Sequence, residues 1–231
     1  MFEPNGGADV KLRSLAFVVE MLAASATPKN RTNGGTQMKH FSVLSIFVSL
    51  IWCTFSVNAA SLIPAQMGGQ VQQTLEAGKV NGCGLTLFGV EQAQSGRVLV
   101  FNGSIVVFNS GAALIKGRVS SVDQKVIVSS GFSPKDLTTL RSKNLWMKAP
   151  RTNATTPTGS GILDSEDKGY VLYAASLDTA FPVVLSVLEG EKIQIGFHTD
   201  GNKSAQIMFG EVSLTGDEKE QLRNCLQEIR R

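Results

Sequence analysis

Short apolar runs separated by turn residues are the feature that most constrains the fold of this chain. Five of them follow one another, namely GLTLFGVEQ (84–92), RVLVF (97–101), SIVVF (104–108), AALIKGRVS (112–120) and KVIVSS (125–130). Turn-forming pairs lie between them at Ser95-Gly96, Asn102-Gly103 and Ser110-Gly111. This spacing is typical of an antiparallel β meander. We therefore expect a mainly β fold, either an antiparallel sandwich or a partly closed barrel.

A hairpin is predicted near the C-terminus. IQIGFHT (193–199) and SAQIMFGEV (204–212) flank Asp200-Gly201-Asn202, and such residues tolerate the positive φ of tight hairpin turns. In the first strand Ile193, Ile195 and Phe197 alternate with less apolar residues. One face of this strand should therefore be buried and the other exposed to solvent.

Two helices are predicted after residue 176. The segment 178–190 begins with Asp178 as a candidate cap, carries Pro182 in its first turn and ends at Gly190. Its β-branched valines leave a strand as the alternative. Thr215 and Glu218 form a capping-box pattern that predicts a C-terminal helix near 216–230.

The segment 60–80 is a third candidate helix. Met67, Val71 and Leu75 recur at a spacing of four residues, which fits one helical face. Gly68-Gly69 weakens the prediction, because glycine is a poor helix former.

Residues 38–59 have the pattern of a secretory signal peptide. Met38-Lys39-His40 is basic, Phe41 to Phe55 is apolar, and Val57-Asn58-Ala59 places small residues at both ends of a cleavage box. Fifteen helical residues span only about 22 Å, short of the roughly 30 Å of a membrane core. Cleavage near Ala59 would give a periplasmic or secreted protein without an integral membrane span.

Residues 1–37 are interpreted as leader sequence upstream of the true start, Met38, in a bacterial gene. A genuine N-terminal extension is the alternative. Residues 81–231 are then a single β-rich domain that ends in the C-terminal helix. From Ala60 onward the chain holds 17 Lys and Arg against 16 Asp and Glu, without a basic cluster. This charge pattern argues against nucleic acid as a partner.

Cys83 and Cys225 are the two cysteines that remain after residue 59. Cys225 falls on the apolar face of the predicted C-terminal helix with Leu222, Leu226 and Ile229. Disulfides persist in oxidising compartments, so a Cys83–Cys225 bridge is expected. Two separate buried thiols are the alternative.

Catalytic and metal-binding patterns are scarce. His198 is the one histidine after residue 59, so a zinc or copper site cannot be assembled from His and Cys ligands. Asp164, Glu166 and Asp167 lie close together but lack the spacing of an EF-hand. No cofactor or metal is expected, and no catalytic residue is assigned. Whether the protein is an enzyme is left open, and the scarcity of catalytic patterns favours a protein that is not an enzyme.

A candidate binding surface includes Trp146 and Met147, which precede a polar stretch at 149–169, and Arg151 within that stretch. An aromatic anchor with a basic rim is typical of recognition surfaces. The alternative places Trp146 in the core beneath a covering loop.

The helix, strand and strand predicted between Ser176 and Leu214 are similar in order to part of exported OB-like barrels. That group includes oligosaccharide-binding toxin subunits, and no residue roles are carried over from it. We expect a non-catalytic interaction or assembly protein that binds a protein partner or its own copies. The alternatives are a small carbohydrate- or peptide-binding module or a hydrolase. An unpaired strand edge would favour the first, and a concave pocket with an aromatic wall the second.

Overall fold

The computed structural model describes residues 60–91, 96–130, 133–163, 165–200 and 204–230. The leader (1–37) and the signal peptide (38–59) predicted above lie outside these residues. The described strands are β1 (Ser61–Glu76), β2 (Lys79–Glu91), β3 (Arg97–Phe108), β4 (Ala112–Asp123), β5 (Thr138–Leu140), β6 (Ser142–Lys148), β7 (Pro157–Leu163), β8 (Val171–Ser176), β9 (Lys192–Thr199) and β10 (Gln206–Ser213). The described α-helices are α1 (Gln124–Ser130), α2 (Leu177–Glu189) and α3 (Gly216–Glu228).

The strands form one curled sheet in the order β6-β9-β10-β1-β2-β3-β4-β8-β7, and β5 also pairs with β4. The sheet is a half-barrel, which confirms the expected mainly β, partly closed barrel. It is mixed rather than wholly antiparallel, because β1 runs parallel to β10. The other paired strands are antiparallel.

β1 joins the two halves of the sheet, and the predicted helix over 60–80 is wrong. Residues 61–68 of β1 pair with β10, and residues 65–76 pair with β2. A spacing of four places Met67, Val71 and Leu75 on one face of a helix, but an even spacing also places them on one face of a strand. Ile63 and Ala65 extend the same alternation and are buried. Pairing on both sides therefore decides for the strand.

The predicted turn at Asn102-Gly103 is wrong, because β3 runs through it without a break. Gly103 serves close packing instead. A Cβ at this position would lie 2.4 Å from the carbonyl oxygen of Lys116 and 2.5 Å from Cζ of Phe101. The turn after Phe108 is confirmed, since β4 begins at Ala112 and pairs with β3.

The segment 125–130 was expected to be a strand and is instead part of α1. A carboxylate oxygen of Asp123 accepts a hydrogen bond from the Lys125 backbone N–H at 2.8 Å, which favours the start of a helix. Ile127 of this helix packs on a small outer cluster formed by Phe88, Val90, Val98, Val100 and Val122. Tertiary burial therefore overrides the β propensity of the valines and the isoleucine.

The two later helices are confirmed. α2 begins one residue earlier than expected, with Ser176 rather than Asp178 as its cap, and Gly190 ends it at φ 77°. In α3 the Thr215–Glu218 capping box forms as predicted. No described helix is long and apolar enough to cross a membrane.

The main core lies on the inner side of the curled sheet. α2 buries Ala180, Val183, Val184 and Val187 in it. β9 contributes Ile193, Ile195 and Phe197, so the predicted alternation of this strand is confirmed. α3 adds Leu222, Cys225 and Leu226. The predicted polar loop at 149–169 is partly a strand, because it contains β7 at the edge of the sheet.

Candidate binding groove at the open seam of the half-barrel

The seam is the place where the two ends of the sheet approach each other without pairing. β6 is one edge strand, and β7 with its neighbour β8 forms the other end. Thr155 bridges them. Its Oγ1 accepts a hydrogen bond from the Met147 N–H at 2.8 Å, and its own N–H donates to the Met147 carbonyl at 2.8 Å. Its hydroxyl also lies 2.8 Å from the Tyr173 hydroxyl.

Thr155 and Tyr173 are both fully buried. Burial raises the pKa of Tyr173 to about 12, and the hydrogen bond with Thr155 opposes this only in part. Tyr173 is therefore neutral at ordinary pH. The seam is closed by hydrogen bonds between neutral groups, which hold β6 at a fixed distance from β8.

A groove of about 250 Å³ opens above this closure. We call it the seam groove. Its wall includes Asn144, Leu145, Trp146, Pro157, Ile162 and Tyr173. Within the described part of the chain, none of the residues that line it carries a charge. The seam groove is therefore suited to apolar groups rather than to ions.

Trp146 forms one wall and owes its position to Gly196. The two residues are cross-strand partners in β6 and β9. A Cβ on Gly196 would lie 1.9 Å from Cε2 of Trp146, so the indole occupies the space that a side chain would fill. Trp146 is half-buried. The ring therefore packs on the sheet and also lines the groove.

Both edge strands have irregular ladders beside the groove. The β6–β9 register shifts between Lys143 and Trp146, and Asn144 adopts a positive φ of 51°. The β7–β8 register shifts between Pro157 and Ile162. Ile162 is 58% exposed, unusually high for a large apolar side chain. Irregular edges of this kind leave backbone groups turned away from the sheet.

The other predicted site residues lie elsewhere. Met147 is 0% exposed, because alternation along β6 turns its side chain into the core, so it does not belong to a binding surface. Arg151 is exposed but does not line the groove, and its guanidinium lies 3.9 Å from Glu191. His198 is half-buried on β9 opposite Lys143, also outside the groove.

Cys83 and Cys225 are brought together as predicted. The structure joins them in a disulfide with their Cα atoms 5.8 Å apart. The bond connects β2 to α3, and both cysteines are buried. It therefore supports the core and leaves the seam groove untouched.

Within the described ranges, no group of three or more His, Cys, Asp or Glu residues is placed to hold a metal ion. Sequence reasoning missed Thr155, Tyr173 and Ile162 as parts of the groove. Thr155 lies in a run of polar residues, ATTPTGSG, which gives no signal that distinguishes it from its neighbours. Ile162 sits in the stretch interpreted as a loop.

Comparisons with protein-family models, curated proteins and solved structures found no match to this chain.

Proposed function

We propose that the mature chain is an exported, non-catalytic interaction protein that binds an extended segment of a partner protein in the seam groove. The observation that carries the proposal is the position of the groove between two irregular strand edges, with Trp146 as its wall. Strand addition at a sheet edge is a recurrent way to bind extended peptides. The predicted signal peptide and the Cys83–Cys225 disulfide support export.

The size of the groove favours a side chain over a free small molecule. Its volume of about 250 Å³ is below the roughly 300 to 1,000 Å³ of ordinary small-molecule pockets. One or two large apolar side chains would fill it. The backbone of the same segment would then lie along the edge of β6 that faces away from β9, at Asn144 and Leu145, which line the groove.

A carbohydrate-binding module is the second candidate, and Trp146 is the observation that favours it. Sugars stack on exposed aromatic rings but also require polar groups that satisfy their hydroxyls. Asn144 and Thr156 are exposed beside the ring. Thr155 is buried and already hydrogen-bonded, so it adds little. The groove thus offers fewer polar groups than a sugar would use.

The test uses the chain from Ala60, in which Trp146 is the one tryptophan and reports directly on the groove. The probe is the blocked peptide acetyl-Thr-Leu-Val-Leu-Thr-amide. Its companion carries N-methyl groups on alternate amides, which block strand pairing and keep the side chains. The unmethylated peptide should change the tryptophan emission, and the methylated one should not. Equal binding of both peptides, or binding of cellobiose instead, would overturn the proposal.

Three variants locate the binding by anisotropy of a labelled peptide. Trp146→Ala should weaken it by about thirtyfold, the loss that corresponds to about 2 kcal/mol at an interface hot spot. Ile162→Ser should also weaken it. Leu62→Ser is the matched control, because Leu62 is 62% exposed and lies in β1, away from the groove lining. His198→Ala should leave binding unchanged.

A further inference from the structure

A second groove lies between α2 and α3, and none of its lining belongs to the seam groove. It consists of two adjoining hollows of about 260 and 140 Å³. Phe181 and Arg230 line both hollows, so the two lie side by side. Leu177 lies at one end of the groove and Leu188 at the other.

α2 carries an apolar stripe beside its buried face, on the side that faces α3. Ala180, Val183, Val184 and Val187 face the core. Phe181, Leu185 and Leu188 are half-buried and line the groove. These side chains also pack against the main core, whereas Asp178 and Glu189 of α2 are exposed. The part of the stripe that the core and α3 leave uncovered forms the apolar floor of the groove.

The rim of this groove is positively charged. Arg223 and Arg230 are exposed and line it, and the guanidinium carbon of Arg230 lies 5.0 Å from the centre of the Phe181 ring. Among the residues that the structure describes, no carboxylate lines either hollow. The ion pairs found in the described part of the chain involve neither arginine. Two cations beside an apolar stripe thus face outward together.

We propose that this groove docks an acidic amphipathic helix of a partner protein. The apolar side chains of that helix would enter the groove over Phe181, Leu185 and Leu188, and its carboxylates would pair with Arg223 and Arg230. The stripe from Leu177 to Leu188 is about 16 Å long, or about three helical turns. A concave surface receives inserted side chains, whereas binding to a membrane favours side chains that protrude. The Cys83–Cys225 bond holds α3 in place as one wall.

The test uses two labelled peptides and the chain from Ala60. Both peptides are amphipathic helices of about fifteen residues with leucine at positions i, i+4, i+7 and i+11. One carries glutamate beside the leucines, and the other carries lysine at the same positions. The glutamate peptide should bind at least about tenfold more tightly in an anisotropy titration, and the preference should weaken in high salt.

Charge reversal provides the decisive comparison. Arg223→Glu with Arg230→Glu should abolish binding of the glutamate peptide and create binding of the lysine peptide. Arg97→Glu is the control, because Arg97 is exposed at the start of β3 and outside this groove. Circular dichroism would show that each variant stays folded. If the double variant instead unfolds, Leu188→Gln is the second test, and it should weaken binding of the glutamate peptide.

Three results would overturn the proposal. One is the absence of binding by the glutamate peptide, and another is equal binding of both peptides. The third is a protein that binds vesicles of phosphatidylglycerol and phosphatidylcholine but neither peptide, and that loses this vesicle binding when Arg223 and Arg230 are changed to glutamate. Because Trp146 and Ile162 lie outside this groove, failure here leaves the seam groove to be judged by its own experiments.

Discussion

The indole of Trp146 lies against the backbone of Gly196, in the space where any other residue would place its Cβ. This contact positions the indole as a wall of the seam groove, because β9 has no side chain at Gly196 and the ring can lie flat on it. An aromatic residue across from a glycine also covers backbone that the glycine leaves bare. The pair therefore supports the sheet and shapes the groove at once.

Gly196→Ala should displace Trp146. The new methyl group would meet Cε2 of the indole at 1.9 Å, so the ring must move. Overpacking of this kind costs about 1 to 3 kcal/mol in the free energy of unfolding. We expect a shift of tryptophan emission to longer wavelength and a lower urea midpoint. Gly216→Ala is the matched control, since a Cβ there meets no atom within 4 Å. Unchanged emission in Gly196→Ala would contradict the packing described.

Thr155→Val tests the closure of the seam. Valine has nearly the shape of threonine but no hydroxyl, so the Met147 N–H and the Tyr173 hydroxyl would lose their partner inside the core. Each buried group left unpaired costs about 1 to 3 kcal/mol. Thr155→Ser keeps the hydroxyl and should cost clearly less. Urea unfolding of both variants compares them directly, and an equal loss of stability in the two would argue against a role for the hydroxyl.

Removal of the disulfide should lower stability without changing the fold. The double variant Cys83→Ser with Cys225→Ser should lose about 2 to 5 kcal/mol, the usual cost for a native disulfide. Thiol titration of the unfolded, unreduced chain from Ala60, which lacks Cys53, should detect no free thiol. Two free thiols per chain would disprove the bridge. In Cys225→Ser the remaining Cys83 should react slowly until the protein is unfolded, because it is 0% exposed.

Tyr173 should make the protein less stable in alkali. Its pKa is raised to about 12 in the folded protein, whereas an unfolded chain has a tyrosine pKa of about 10. The folded state therefore binds this proton more tightly than the unfolded chain does. The contribution of Tyr173 to the free energy of unfolding is fully present below about pH 10 and is lost between about pH 10 and pH 12. This difference in pKa between the folded and unfolded states corresponds to roughly 2 to 3 kcal/mol in the free energy of unfolding.

This prediction is best measured in a Tyr170→Phe background, since burial also raises the pKa of Tyr170. Tyr173 is then the one tyrosine in the chain, and its ionisation can be followed by ultraviolet absorbance. Addition of Tyr173→Phe should flatten the fall in the free energy of unfolding above pH 10. A fall of the same size without Tyr173 would assign the effect to other groups.

The features that the sequence predicted correctly depend on neighbouring residues. Thr215 and Glu218 form their capping box within a single turn, and Ser110-Gly111 lies in the turn between β3 and β4. The alternation of Ile193, Ile195 and Phe197 identifies a half-buried strand whatever its partner is. The Cys83–Cys225 pair was found by elimination, because no other cysteine follows residue 59.

The incorrect predictions depend on pairing between distant segments. Asn102-Gly103 has the composition of a turn, but the Phe101 ring and the Lys116 carbonyl use the space beside Gly103. The two valines and the isoleucine in the segment 125–130 favour a strand, yet this segment lies in α1 and covers an outer cluster. In each case a contact between segments outweighs the local preference of the chain.

The sequence alone therefore identified a β-rich chain, the capping box that starts α3 and one pair of cysteines that can meet. The tertiary structure alone decided that residues 61–76 form the strand joining the two halves of the sheet, since spacing by four fits a helix and a strand equally. It also decided that Thr155 and Tyr173 meet beneath Trp146. The physical reason is that the seam forms only when the whole sheet curls, and no local preference of these residues encodes that approach.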